Sequence, residues 1–206
     1  MKKGMCICYE VGSGLYVNIT NKCSNSCSFC IRNNGDGAYG SDSLWLLREP
    51  TLEEILSSLS RQELSKYEEI VFCGYGEPSY RLKDAVAVAK AIKAKYKDVK
   101  IRINTNGQSD LILGCDTAPM YEGAFDTVSI SLNTSSAEKY LEMCHPVYKL
   151  DAYAALLDFA KNVKKYVQNV VFSVVRESLS ETELAECFKI SERLGIPLRV
   201  RSYIGA

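Results

Sequence analysis

The chain of 206 residues is poor in several residue types on which common functional sites depend. It contains one histidine, one tryptophan and five prolines, and its 25 basic residues are balanced by 25 acidic ones. With a single histidine, a zinc site built on a cysteine pair and a histidine pair is excluded. A formal net charge of zero gives no support to broad electrostatic attraction to nucleic acid or to an anionic membrane.

Long apolar runs are also missing. No run approaches the ~20 residues that a helix needs to cross a bilayer, and the first 14 residues lack the apolar core of a signal peptide. No linker, low-complexity stretch or internal repeat divides the sequence. We therefore expect one domain over residues 1–206, with residues 1–14 as an N-terminal extension. The nine cysteines are then best explained as reduced thiols in the cytoplasm.

Short strand-like segments alternate with segments of helical period along the chain. Amphipathic helices are predicted to begin near residues 51, 82, 109, 151 and 180. Strands are predicted at 15–20, 69–73, 100–105, 127–133, 170–175 and 198–203. Repeated βα alternation calls for a parallel sheet with helices outside it, and six strands are too few for a closed eight-stranded barrel. We predict an α/β fold of the partial (β/α)6 TIM-like barrel type, open on one side.

Several predicted strands alternate polar and apolar side chains, whereas strands of a buried parallel sheet are usually apolar throughout. Period two places each polar set on one face of the sheet. Unpartnered buried polar groups cost about 1–3 kcal/mol each, so we expect a polar ligand in the interior, the alternative being that these groups satisfy one another. The polar residues are Tyr16, Asn18, Thr20, Arg102, Asn104, Ser129, Ser131, Asn133, Arg199 and Arg201.

Three of the cysteines, Cys23, Cys27 and Cys30, lie within eight residues. Three soft thiolates from one loop can hold an iron–sulfur cluster. Because such a cluster normally takes four thiolates, three leave one iron open to another ligand. One alternative is a zinc site with His145 as the fourth ligand. Another is a thioredoxin-like pair of Cys27 and Cys30, which gives Cys23 no role.

Two further motifs end the second and third predicted strands, namely Gly-Tyr-Gly-Glu-Pro at 74–78 and Thr-Asn-Gly at 105–107. Together with the cysteine triplet, which has Phe29 just before its last member, they resemble the signature of the radical S-adenosylmethionine (radical SAM) enzymes. The resemblance covers about residue 16 to the C-terminus. The segments 30–36, 45–50 and 72–78 are most similar to the compact TatD-linked radical SAM proteins, whose genes accompany a TatD-type hydrolase.

The resemblance implies a 4Fe–4S cluster on Cys23, Cys27 and Cys30, with its open iron chelated by S-adenosylmethionine (SAM). It implies reductive cleavage of SAM to a 5′-deoxyadenosyl radical that abstracts hydrogen from a substrate. It also implies that the enzyme is oxygen-sensitive and takes electrons from a donor such as flavodoxin or ferredoxin. The similarity to the TatD-linked proteins implies a TatD-type hydrolase in the same pathway. The residues at matching SAM-binding positions are Phe29, Gly74, Gly76, Glu77, Thr105, Asn106, Ser131, Asn133 and Ile204.

Other candidate residues lie outside these motifs. The candidate substrate contacts are Asn18, Arg102, Arg199 and Arg201. Arginines on inner faces suggest a substrate with a carboxylate or phosphate, and pairing with Glu77 or Glu177 is the competing explanation. Cys144 and His145 follow the fourth predicted strand on the catalytic rim of a βα barrel, and are the candidate catalytic residues. Residues 31–49 exceed ordinary loop length and are predicted to form a lid or binding loop.

The leading functional hypothesis is therefore a radical SAM enzyme acting on a small molecule or a modified residue. A glycyl-radical activating enzyme, which would need a protein partner, is an alternative within the same class. A non-catalytic iron–sulfur or zinc module is an alternative of a different class. Buried free thiols explain most of the remaining cysteines, although Cys115 and Cys144 could contribute to an auxiliary cluster. These remaining cysteines are Cys6, Cys8, Cys73, Cys115, Cys144 and Cys187.

Overall fold

The computed structural model describes residues 3–203, and its centre is one seven-stranded sheet in which the strands follow one another in chain order. The strands are β1 (Cys8–Val11), β2 (Gly14–Val17), β3 (Glu69–Phe72), β4 (Lys100–Thr105), β5 (Thr127–Ser131), β6 (Asn169–Val175) and β7 (Leu198–Arg201). β1 runs antiparallel to β2, and all later neighbours are parallel. β1 and β7 are the edges of the sheet, which does not close. The predicted open α/β barrel is confirmed.

The helices lie in the connections between parallel strands, as the βα alternation requires. They are α1 (Leu52–Ser60), α2 (Leu82–Lys95), α3 (Ser109–Leu113), α4 (Ala137–Cys144), α5 (Asp151–Val163) and α6 (Glu181–Leu194). Capping boxes start α1 at Thr51 and α6 at Ser180, and Gly195 ends α6 in the left-handed conformation. None of these helices combines the length and apolar character that crossing a bilayer would demand.

Two elements were not predicted from the sequence, β1 and α4. β1 has only four residues and forms a hairpin with β2 through the left-handed Gly12. α4 spans eight residues and is capped at its N-terminus by Ser136, whose side chain accepts a hydrogen bond from Lys139 N. The fourth predicted strand is also shorter than expected, because Asn133 has a φ of 63° and cannot continue the sheet.

The apolar face of the sheet packs against the helices and forms the core. Its buried strand residues are Leu15, Val17, Ile70, Phe72, Ile101, Ile103, Val128, Ile130, Phe172 and Val174. In β7 the alternation of polar and apolar residues predicts that Val200 packs in the core. This prediction is wrong, because β7 is an edge strand and Val200 is 38% exposed. The opposite, largely polar face of the sheet lines the concave side.

Residues 31–49 form an ordered wall along the concave side. This wall is tied to the chain that follows β2, since Asn18 Nδ2 donates to Leu44 O at 2.8 Å. The hydroxyl of Tyr75 lies within hydrogen-bonding distance of Gly35 O at 3.0 Å and Gly37 O at 2.9 Å. The Tyr75 ring also packs edge-on against Trp45, with centroids 5.1 Å apart. Tyr75, the tyrosine of the Gly-Tyr-Gly-Glu-Pro motif, therefore anchors the wall.

We expect Tyr75→Phe to loosen this wall without unfolding the protein, because it removes hydrogen bonds worth about 1 kcal/mol but keeps the ring. Amide hydrogen exchange at Ser41 and Leu44, whose N–H groups bond within the wall, should accelerate about fivefold. Tyr96→Phe, at the C-terminal end of α2, is the matched control. Unchanged exchange in Tyr75→Phe would show that the hydroxyl does not hold the wall.

Candidate active site

The concave face and the 31–49 wall together enclose a cavity of about 400 Å³. Residues predicted from the sequence line this cavity, including all three cysteines of the triplet: Cys23, Cys27, Phe29, Cys30, Gly74, Gly76, Glu77, Arg102, Thr105, Asn106, Ser131, Asn133, Arg199 and Arg201. Asn18, Cys144 and His145 are not among its lining residues. Ile204 lies outside the described residues. The cysteine loop, both glycine-containing motifs and the arginines thus meet in one place.

The cysteine loop is held from behind by the C-terminal end of α4. Ser26 N donates to Cys144 O at 2.8 Å, and Ser28 N donates to Met143 O at 3.0 Å. These bonds satisfy carbonyls that the helix end leaves without intrahelical partners. A segment absent from the predicted secondary structure therefore fixes the loop that carries the thiols.

A buried polar network holds the same loop from the side of β4. Asn106 Nδ2 donates to Ser24 Oγ at 2.8 Å, and Gln108 Nε2 donates to Asn25 Oδ1 at 2.9 Å. Asn25 Nδ2 in turn donates to Tyr140 OH at 2.8 Å. All five residues are buried, so the network is rigid and costly to break. Of these five residues, only Asn106 was predicted from the sequence to belong to the site. The sequence signals for the network are the small polar residues between the cysteines and the glutamine directly after Thr-Asn-Gly.

Burial and local charge set the protonation of the three thiols. Burial raises the pKa of Cys23 to about 12 and also raises that of Cys30. A hydrogen bond with Cys144, followed by burial, raises the pKa of Cys27. The guanidinium of Arg32 opposes the rise at all three thiols. The thiols are therefore neutral at pH 7 until a metal displaces their protons.

The donor set fits an iron–sulfur cluster. Within residues 3–203, no three Cys, His, Asp or Glu side chains form a group that could hold a metal ion as they stand. A 4Fe–4S cluster binds its thiolates at separate irons, so it needs sulfurs that line one cavity rather than converge on one point. Cys23, Cys27 and Cys30 meet that requirement. His145, the fourth ligand of the zinc alternative, is exposed at the C-terminal end of α4.

Glu77 is a buried carboxylate that joins the ends of β3 and β4. Its Oε1 accepts hydrogen bonds from Ser79 N at 3.0 Å, Ser79 Oγ at 2.7 Å and Thr105 Oγ1 at 2.8 Å. Its Oε2 accepts one from Asn106 N at 2.7 Å, which leaves acceptor capacity for a ligand. Burial raises the pKa of Glu77, and these hydrogen bonds oppose the rise. The carboxylate is suited to a cationic amine.

The two glycines before Glu77 allow close contact between neighbouring chains. A Cβ at Gly74 would lie 2.1 Å from Asn18 Oδ1, and one at Gly76 would lie 2.3 Å from Thr20 O. Both glycines also line the cavity. Their small size thus serves two purposes, exposing main chain to the cavity and admitting residues 18–22, which lead into the cysteine loop.

The inner-face arginines differ in their partners. Arg102 is buried and forms an ion pair with Glu69 rather than with either carboxylate that the sequence suggested. Its Nη1 also donates to Asn104 Oδ1 at 2.8 Å. Arg199 and Arg201 make no ion pair within the described part of the chain. Two of the three arginines beside the cavity thus carry a charge that no described carboxylate pairs with directly.

Of the two candidate catalytic residues, Cys144 lies behind the cysteine loop and His145 lies at the protein surface. Cys144 is buried and accepts a hydrogen bond from Asn133 Nδ2 at 3.4 Å, besides contacting Cys27. His145 has a φ of 43° and ends α4 at the surface. These positions give Cys144 a supporting role at the loop.

We expect Gly76→Ala to destabilise the protein by about 1–3 kcal/mol and to lower its iron content, because the new methyl group collides with backbone that cannot move away. Gly35→Ala is the matched control, since a Cβ there would find its nearest atom at 3.9 Å. Chemical denaturation and iron analysis after anaerobic reconstitution measure both effects. Equal stability and iron content in the two variants would contradict the close contact.

Iron loading should also depend on pH and on Arg32. Ligation needs thiolates, and the pKa values of the thiols are raised, so loading should increase as the pH rises from 6 to 9. Arg32→Gln removes the charge that opposes the raised pKa values, so the pH of half-maximal loading should rise by about one unit. Arg32→Lys should preserve most of the wild-type profile. Superimposable profiles for Arg32→Gln and wild type would count against this role.

Known proteins resemble the chain in both sequence and fold. GTP 3′,8-cyclase from Clostridium perfringens (strain SM101 / Type A) is 24% identical over 185 residues, covering 90% of this chain and 53% of that protein. GTP 3′,8-cyclase from Corynebacterium glutamicum (strain ATCC 13032) is 32% identical over 142 residues, covering 65% and 34%. The chain thus spans about half or less of the length of these curated relatives.

Two solved structures share the fold at low identity. Streptococcus suis SuiB bound to precursor peptide SuiA has a TM-score of 0.67 and 17% identity, over 93% of this chain and 39% of that one. A radical SAM methyltransferase from Sphaerobacter thermophilus has a TM-score of 0.67 and 15% identity, over 95% and 68%. The family model of the radical SAM superfamily matches residues 17–189, which include the cysteine loop and the motifs after β3 and β4. The chain belongs to the radical SAM superfamily.

Proposed function

We propose that this protein holds a 4Fe–4S cluster on Cys23, Cys27 and Cys30 and binds SAM in the adjoining cavity. When bound, these groups supply reductive cleavage of SAM to methionine and a 5′-deoxyadenosyl radical that abstracts hydrogen from a substrate. The observation that carries the proposal is the common cavity lined by the cysteine loop and by the motifs that end β3 and β4. A buried polar network on one side of the loop and hydrogen bonds to the end of α4 on the other hold these parts together.

Different residues of the cavity would bind different parts of SAM. Glu77 would accept a hydrogen bond from the methionine ammonium through Oε2, with the main chain at Gly74 and Gly76 beside it. Ser131 and Asn133 line the cavity and would bind the ribose or the carboxylate. The half-buried ring of Phe29 would lie near the adenine. Ile204 is proposed to contact the adenine as well. The 31–49 wall would limit access of water and oxygen.

The substrate is proposed to be a small molecule or a modified residue, and the electron donor a flavodoxin or ferredoxin. Membership of the TatD-linked subgroup is supported by the motif segments 30–36, 45–50 and 72–78, and with it a shared pathway with a TatD-type hydrolase. A cytoplasmic location is supported by nine free cysteines, because such thiols stay reduced there.

The test compares Cys27→Ala with Cys187→Ala after anaerobic reconstitution with iron and sulfide. Wild type and Cys187→Ala should turn brown, bind about four irons and release 5′-deoxyadenosine from SAM under a strong reductant. Cys27→Ala should lose the cluster and the cleavage. Cys187 is a suitable control because it is buried on α6, away from the cavity lining.

Three outcomes would overturn the proposal. A colourless wild-type protein that retains one zinc ion would support the zinc module instead. Loss of the cluster in Cys187→Ala, at unchanged melting temperature, would show that the ligands had been assigned wrongly. A brown protein that never releases 5′-deoxyadenosine would support electron transfer rather than radical chemistry.

A further inference from the structure

Arg199 and Arg201 lie two residues apart on β7 and both line the cavity that holds the cysteine triplet. Their alternate spacing places both on the same face of the strand. Neither forms an ion pair with any described residue, and Arg201 Nε is buried without a hydrogen-bond partner. A buried guanidinium donor normally finds an acceptor, so this one indicates that an acceptor is missing.

The charges around the cavity do not balance. The charge of Arg102 is compensated by Glu69. Glu77 is the single carboxylate among the described lining residues, and it is engaged by the ends of β3 and β4. Partial burial, followed by Arg102 and Arg201, lowers the pKa of Arg199, while Tyr16 and Glu69 oppose the fall. Two positive charges therefore remain side by side without an ion-pair partner among the described residues.

The arginine pair has neighbours on three other parts of the fold. Arg199 lies close to Tyr16 on β2. Arg201 is close enough to Tyr39 and Cys73 to oppose the rise in pKa that burial causes in both. These neighbours belong to β2, the 31–49 wall and the end of β3. The pair thus borders the part of the cavity where a substrate can lie beside SAM.

We infer that Arg199 and Arg201 form a subsite for a phosphate group of the substrate. A phosphate monoester carries about −1.5 to −2 charges at pH 7, which matches two uncompensated guanidinium groups. Guanidinium groups bind phosphate oxygens through paired charge-assisted hydrogen bonds, and Arg201 Nε would gain its acceptor there. The inference rests on the proposed function of the cavity.

The probe is inorganic phosphate, titrated by calorimetry into the reconstituted protein saturated with SAM. Wild type should bind phosphate, and Arg199→Gln and Arg201→Gln should each weaken binding on the order of ten- to hundredfold. Arg193→Gln is the matched control, since it removes an equal charge from an exposed position on α6. Arg201→Lys and thermal melting separate loss of the subsite from loss of the fold.

The outcomes distinguish this subsite from the proposed function. Phosphate binding that needs both arginines supports the subsite, whether or not the protein cleaves SAM. No binding by wild type, or equal binding by Arg199→Gln and Arg193→Gln, would overturn it. Weaker SAM binding in Arg199→Gln and Arg201→Gln, with phosphate displaced by SAM, would also overturn it, because the pair would then hold the methionine carboxylate. Failure of SAM cleavage alone would overturn only the proposed function.

Discussion

The site depends on one buried carboxylate and the chain of hydrogen bonds that it anchors. Glu77 joins the end of β3 to the end of β4, and Asn106 continues the connection to Ser24 in the cysteine loop. Burial disfavours the charged form of this carboxyl, and the four hydrogen bonds that its oxygens accept oppose that effect. The same bonds that stabilise the charge hold the thiols against the strand ends. Structural support and the proposed ligand binding would therefore be inseparable at this residue.

Charge is distributed unevenly along the cavity. The side of β3 and β4 presents Glu77 and bare main chain, whereas the β7 edge presents two arginines that form no ion pair with the residues the structure describes. A sulfonium and an ammonium favour the first environment, and an oxyanion favours the second. The open sheet makes this possible, because an edge strand can bring guanidinium groups to the cavity without burying them completely. Ligands of opposite charge would thus be oriented before any reaction begins.

Much of the architecture could be predicted from local patterns. Interactions between residues close in sequence account for the helix caps at Thr51 and Ser180, the helix end at Gly195 and the period-two strands. The residues that could not be predicted act through distant contacts. Tyr140 supports Asn25 from 115 positions away, and the α4 end fixes the cysteine loop over a similar separation. A short helix with one capping serine also offers too weak a periodic signal to be found.

The sequence by itself determined the βα order, the three thiols and the motifs after β3 and β4, because each is a pattern within one short segment. Only the tertiary structure decided which polar groups are already satisfied. Arg102 and Arg199 look alike in the sequence, yet Glu69 forms an ion pair with the first and not with the second. The reason is geometric, since strand order and register decide which charges on neighbouring strands come within ion-pair distance.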